Sequence, residues 1–167
     1  MIDLDSYALR SGQGKVVETN VAPDPPVRNG EPLSFDEAVI PVRVDISRTT
    51  SGYALRLRLQ TTVTGTCMNC LSPAPSDLAI DAREVDQASE SDPELLSPYV
   101  DEAVLDVGSW AHDAIVLELP ERLLCKPDCL GLCEECGTNL NEVDPPGSHT
   151  HERAPDPRFA KLRDLQG

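Results

Sequence analysis

Hydrophobic and polar positions alternate most regularly between residues 53 and 64. Tyr53, Leu55, Leu57, Leu59, Thr61 and Val63 fall on one side, and Ala54, Arg56, Arg58, Gln60, Thr62 and Thr64 on the other. A period of two over that length predicts a β-strand with one buried and one wet face. Just upstream, Val42, Val44 and Ile46 alternate with Arg43, Asp45 and Ser47, and Thr50-Ser51-Gly52 supplies a turn. The two runs predict an antiparallel hairpin. A third strand is predicted over 78–85, where Leu78, Ile80 and Ala82 alternate. Arg43, Arg56 and Arg58 share the polar side, either as ordinary solvated strand arginines or, where antiparallel pairing brings them within reach of one another, as a small basic strip.

The period then changes. Ala111, Ile115 and Leu119 stand at i, i+4 and i+8, which predicts a helix over 109–119 with Ser109 as N-cap and Pro120 as its stop. His112 reads as an ordinary residue of that helix. A second short helix is predicted from Asp156 and Pro157, with Phe159, Leu162 and Leu165 on one side. Residues 1–37 carry weaker signals: a half-strand over 15–19 and a proline-rich irregular connection over 20–32. Residues 84–102 hold seven acids and no Lys or Arg and read as a solvated acidic loop. The pattern predicts a single α+β domain over 1–167: an antiparallel β-sheet, one main helix and a cysteine-rich C-terminal segment over 125–151.

Composition narrows the functional classes. The formal net charge is −15, and the chain holds only six aromatic residues. Such a chain repels bare phosphate backbone and offers little for base stacking, which argues against a general nucleic-acid binder. No apolar run approaches a membrane span, and the first residues lack the basic and apolar regions of a signal peptide. The expectation is a cytoplasmic protein with reduced thiols and no membrane contact.

The remaining signal is chemical. Cys67-Met-Asn-Cys70 follows the long strand directly, four further cysteines (Cys125, Cys129, Cys133 and Cys136) fall within twelve residues, and His149-Thr-His151 comes after them. Paired Cys-x-x-Cys turns supply thiolates for a tetrahedral metal, and Gly137 behind Cys136 lets the chain turn there. Disulfides need an oxidising compartment, and redox catalysis needs positive charge near the thiols, whereas Glu134 and Glu135 lie between Cys133 and Cys136. The favoured grouping is two sites: Cys67, Cys70, Cys125 and Cys129 in one, Cys133, Cys136, His149 and His151 in the other. A compact site of Cys125, Cys129, Cys133 and Cys136 alone is the rival, with the histidines as solvated loop residues.

These residues carry a resemblance. Cys67 to Leu71, Leu119-Pro120, Leu124 to Asn141 and Asp156-Pro157-Arg158 to Leu162 together resemble the bacterial YceD family, over residues 35–165. Many members of that family carry Cys-x-Cys where this chain has His149-Thr-His151, a replacement of one soft donor by another. The family is described as a large ribosomal RNA subunit accumulation protein. The resemblance implies a role in the synthesis, processing or stability of 23S rRNA, and it supplies no reaction and no catalytic residue. The reading is a non-enzymatic factor holding one or two structural Zn²⁺ ions. Its expected partner is a large-subunit precursor or a ribosome-associated protein, with weak direct RNA contact and no small-molecule substrate. The rival classes are an iron–thiolate electron carrier and a catalytic-zinc enzyme.

Overall fold

The computed structural model describes residues 1–87, 95–146 and 148–151. In chain order these form β1 (Ile2–Asp3), a 3-10 turn at Asp5–Tyr7, β2 (Gly14–Val21), β3 (Val27–Arg28), β4 (Glu31–Pro32), β5 (Ser34–Phe35), β6 (Ile40–Arg48), β7 (Gly52–Thr66), β8 (Pro73–Gln87), β9 (Val100–Asp101), β10 (Val104–Leu105) and α1 (Val107–Glu118). The sheets are antiparallel, and α1 is the single α-helix among the described residues. None of the described helices is long and apolar enough to cross a membrane.

The main sheet is built on β7. Its whole length pairs with β8, from Gly52↔Gln87 to Thr66↔Pro73, while β6 and then β5 share its other edge and β2 pairs β6. The alternation that predicts β7 holds in detail: Tyr53, Leu55, Leu57, Leu59 and Val63 are buried, as are Val42, Val44 and Ile46 on β6 and Leu78 and Ile80 on β8. Val107, Trp110, Ala111, Ala114 and Ile115 of α1 belong to the same apolar cluster. Each fully buried Leu, Ile or Val contributes about 1.5–3 kcal/mol relative to exposure, and this cluster is the main driving force for the fold.

Several boundaries differ from the sequence expectation. The strand expected over 78–85 runs from 73 to 87, because residues 73–77 and 86–87, outside the alternating apolar pattern, still pair with β7. It takes in the first residues of the expected acidic loop, whose last part includes β9; residues 88–94 lie outside the described residues. The half-strand expected over 15–19 is the eight-residue β2, an edge strand whose burial signal is weak. The helix begins two residues earlier than expected. Asp106, not Ser109, is the cap: its carboxylate accepts from the N–H groups of Gly108 (3.0 Å) and Ser109 (3.1 Å), and the Ser109 hydroxyl donates to it at 2.7 Å. A carboxylate at the positive end of the helix dipole wins over a neutral hydroxyl there. The helix expected from Asp156 lies outside the described residues.

The basic strip is also corrected. Arg43 stands opposite Arg58, and Arg56 opposite Arg83, across the wet face. Carboxylates interleave them: Arg43 pairs with Glu18 at 3.6 Å and Asp45 at 3.3 Å, Arg58 with Asp45, and Arg56 with Asp81. The acids come from register neighbours on β2, β6 and β8, so inspection of β7 alone hides them. The result is a lattice of ion pairs.

Candidate metal centre

The tip of the β7–β8 hairpin is the turn 67–72, so the strand pairing itself delivers Cys67 and Cys70 to one end of the sheet. The Cys67 N–H donates to the Ser72 carbonyl at 2.8 Å, and the Leu71 N–H to the Cys67 carbonyl at 3.0 Å. The second Cys-x-x-Cys turn repeats this pattern. There the Cys133 N–H donates to the Thr138 carbonyl and the Gly137 N–H to the Cys133 carbonyl, both at 2.8 Å. Both turns put the residue after the second cysteine in the left-handed region, Leu71 at φ 62° and Gly137 at φ 74°. Glycine takes that conformation freely; a residue with a Cβ pays about 1–2 kcal/mol.

The segment after α1 closes the first centre. Pro120 stops the helix, and the Arg28 guanidinium donates to the Pro120 and Glu121 carbonyls. The buried Leu123 then accepts the Met68 N–H at 2.9 Å, which lays 123–125 beside the hairpin tip. The Asn69 amide donates to the Cys129 carbonyl at 3.2 Å. These contacts bring the Cys70 and Cys125 sulfurs to 3.5 Å and those of Cys67 and Cys129 to 3.8 Å. Zinc at about 2.3 Å from each sulfur sets tetrahedral S···S edges at about 3.8 Å. Those two edges match that ion closely, and all four sulfurs lie within 4.8 Å of one another. Cys67 and Cys70 are buried in the apolar cluster, with Cys125 and Cys129 half-buried against it.

The second group is local and more exposed. Residues 131–140 fold as a small loop closed by the Leu132–Asn139 bridge and by the Leu140 N–H to the Gly131 carbonyl at 2.9 Å. Within it and the residues that follow, the His149 Nε2 lies 3.1 Å from the Cys136 sulfur. The His151 Nε2 lies 3.2 Å from the Cys133 sulfur and 2.8 Å from the His149 Nε2. Tetrahedral edges about zinc are about 3.3 Å for N···N and about 3.6 Å for N···S, so small outward shifts fit these donors to the ion. On its far side the His151 Nδ1 faces the Glu135 carboxylate at 3.6 Å, on the side where a ligating imidazole usually has its outer partner. All eight candidate donors thus fall into two quartets, with the donor atoms of each quartet within 4.8 Å of one another. The compact grouping of Cys125, Cys129, Cys133 and Cys136 is not the one the chain adopts.

Thiol electrostatics reflect the crowding. Burial pushes the Cys67 thiol up, but N–H groups of Cys125, Cys70 and Asn69 aimed at its sulfur outweigh this and hold it at about 6. The Ser72 hydroxyl and N–H lower Cys70, whereas the neighbouring Cys70 sulfur and burial push Cys125 up to about 12. Cys136 falls to about 6, chiefly through the Thr138 hydroxyl and N–H. Clustered sulfurs resist full ionisation, and a divalent cation resolves the conflict by favouring every thiolate at once.

Sequence reasoning missed the outer residues. The Asn141 amide donates to the Cys129 sulfur at 3.4 Å while its carbonyl oxygen accepts the Leu130 N–H at 3.0 Å, which ties the residue after the 131–140 loop to the first centre. Asn69, Ser72, Thr138 and Asn139 play comparable parts; the available signal was short amide and hydroxyl side chains within a few residues of the cysteine pairs. His112 lies away from both quartets, its Nδ1 2.8 Å from the Asp24 carbonyl.

The family model described as large ribosomal RNA subunit accumulation protein YceD matches residues 55–166, from β7 through both quartets. The chain belongs to the YceD family. An uncharacterized protein of Mycobacterium tuberculosis is 31% identical over 174 residues, covering 98% of this chain and 81% of that protein. A maize protein described as large ribosomal RNA subunit accumulation protein YCED homolog 1, chloroplastic, is 26% identical over 133 residues, covering 60% of this chain and 45% of its own length. An uncharacterized protein of Mycobacterium leprae is 45% identical over 67 residues, 40% of this chain and 29% of that protein. No solved structure matches the chain. YceD membership ties the chain to ribosome biogenesis, and the cysteine and histidine quartets add groups that suit a metal ion.

Proposed function

We propose that the protein supports accumulation of 23S rRNA as a non-enzymatic, cytoplasmic binding factor whose cysteine-rich C-terminal segment is stapled, to itself and to the hairpin tip, by two Zn²⁺ ions. The observation that carries this reading is family membership in a chain whose eight soft donors form two closed sets of four. Four protein donors per ion leave no position for water or substrate, which suits structural zinc and disfavours a catalytic role. Zinc at the first centre would tie the hairpin tip to the segment after α1; at the second it would hold 149–151 against the 133–136 turn. The partner is a large-subunit precursor or a ribosome-associated protein. Direct RNA contact is weak, because Arg43, Arg56 and Arg58 on the sheet already face carboxylates.

The test is depletion of the protein in its host, followed by the ratio of 23S to 16S rRNA. The ratio should fall and recover with the wild-type chain but not with Cys67→Ser/Cys70→Ser. An unchanged ratio on depletion contradicts the reading. The all-sulfur quartet also favours a second reading, an iron–thiolate centre, which would make the purified protein red or brown where zinc leaves it colourless.

A further inference from the structure

The two Cys-x-x-Cys turns share their backbone but differ at one position. Gly137 has open space around the place of a Cβ, and its turn needs no side chain there. Leu71 adopts the same left-handed conformation at φ 62°, and 65% of its surface is exposed. The leucine side chain is therefore strained in the backbone and unused by the core, where glycine would complete the turn without strain. Met68 of the same turn is 48% exposed. Leu130 is 46% exposed, and the next residue, Gly131, packs onto this turn so closely that a Cβ there would lie 3.3 Å from the Asn69 carbonyl oxygen. Single exposed apolar residues are common; three large ones on a rigid tip, one held at positive φ, are not explained by the fold.

We propose that Leu71, with Met68 and Leu130 beside it, is the apolar anchor by which this protein grips a basic polypeptide of the large subunit, an inference that rests on the ribosomal reading above. Charge selects this occupant. The chain carries −15, and on its polar sheet face Arg43, Arg56 and Arg58 are each paired with carboxylates, so a cationic protein is steered toward it while phosphate is repelled. Leucine and methionine offer neither a stacking plane nor donors to nucleotide bases, but they fill an apolar pocket on a protein.

The experiment presents the folded, metal-replete protein with two probes: the protein fraction extracted from purified large ribosomal subunits, and protein-free 23S rRNA. The wild-type chain should bind the protein fraction and not the RNA. Leu71→Gly should keep its metal and melt at the same or a higher temperature, since strain is relieved, while binding weakens by about tenfold. Met68→Ser should weaken binding in the same direction. Leu71→Gly binding as tightly as wild type overturns the anchor and leaves the ribosomal reading standing. Loss of metal or a lower melting temperature in Leu71→Gly assigns the leucine to the fold and also overturns it. Binding to the rRNA alone rejects the polypeptide partner. Binding to neither probe, with 23S rRNA unchanged on depletion, removes the ribosomal reading and the anchor with it.

Discussion

The Cys67 and Cys129 sulfurs stand 3.8 Å apart although 62 residues separate them along the chain. With the Cys70–Cys125 contact, this closes the hairpin tip onto the segment that follows α1. Replacing Cys67 and Cys70 with serine should therefore lower global stability, by about 4 kcal/mol if the site is held at a thousandfold excess over its dissociation constant. Thermal melts of wild type and variant, with and without chelator, check this: the chelator should lower the wild type toward the variant and leave the variant little changed.

The second centre joins only 133–136 to 149–151 and lies outside the core cluster. His149→Ala/His151→Ala should lose one equivalent of metal while the melting temperature changes little. A variant that keeps its full metal content assigns both histidines to an ordinary loop.

Asp106 accepts three hydrogen bonds at the start of α1, and the Ser109 hydroxyl, first among them, holds its carboxyl below the usual range. A depressed folded pKa means the stabilisation is present above the ordinary aspartate value of about 3.9 and is lost as pH falls through the lower folded value. Asp106→Ala should cost about 1 kcal/mol at neutral pH. Melts taken at falling pH should show the difference between wild type and Asp106→Ala shrinking below about pH 4.

Arg43, Arg56 and Arg58 each face a carboxylate. Changing all three to glutamine should leave co-sedimentation with large-subunit precursors unchanged at moderate salt and cost at most about 1 kcal/mol per exposed pair. A marked loss of co-sedimentation would return the sheet face to the account.

How much of this was legible depended on whether a signal was local. The alternation from Tyr53 to Val63 reports burial on one strand and so reads directly as β7. The rivalry between Asp106 and Ser109 turned on which of two acceptors three residues apart reaches the free N–H groups, and the position of Ala111 and Ile115 does not decide that. The arginine strip failed for a related reason, since Asp45 and Asp81 reach Arg58 and Arg56 only through register. At the quartets, spacing identified the donors but left two groupings open. The choice was made by the Met68–Leu123 and Asn69–Cys129 hydrogen bonds, which exist only once β7 and β8 have paired. Leu71 gave no warning, because nothing in Cys-x-x-Cys-Leu announces a leucine at positive φ.

The central claim is that six cysteines and two histidines divide into two closed quartets. X-ray absorption at the zinc edge, on protein purified under reducing conditions without chelator and with its metal content measured, tests it most directly. The account predicts two zinc ions per chain with an average shell of three sulfurs at about 2.3 Å and one nitrogen at about 2.0–2.1 Å. A single ion with four sulfurs, or protein without metal, would contradict it.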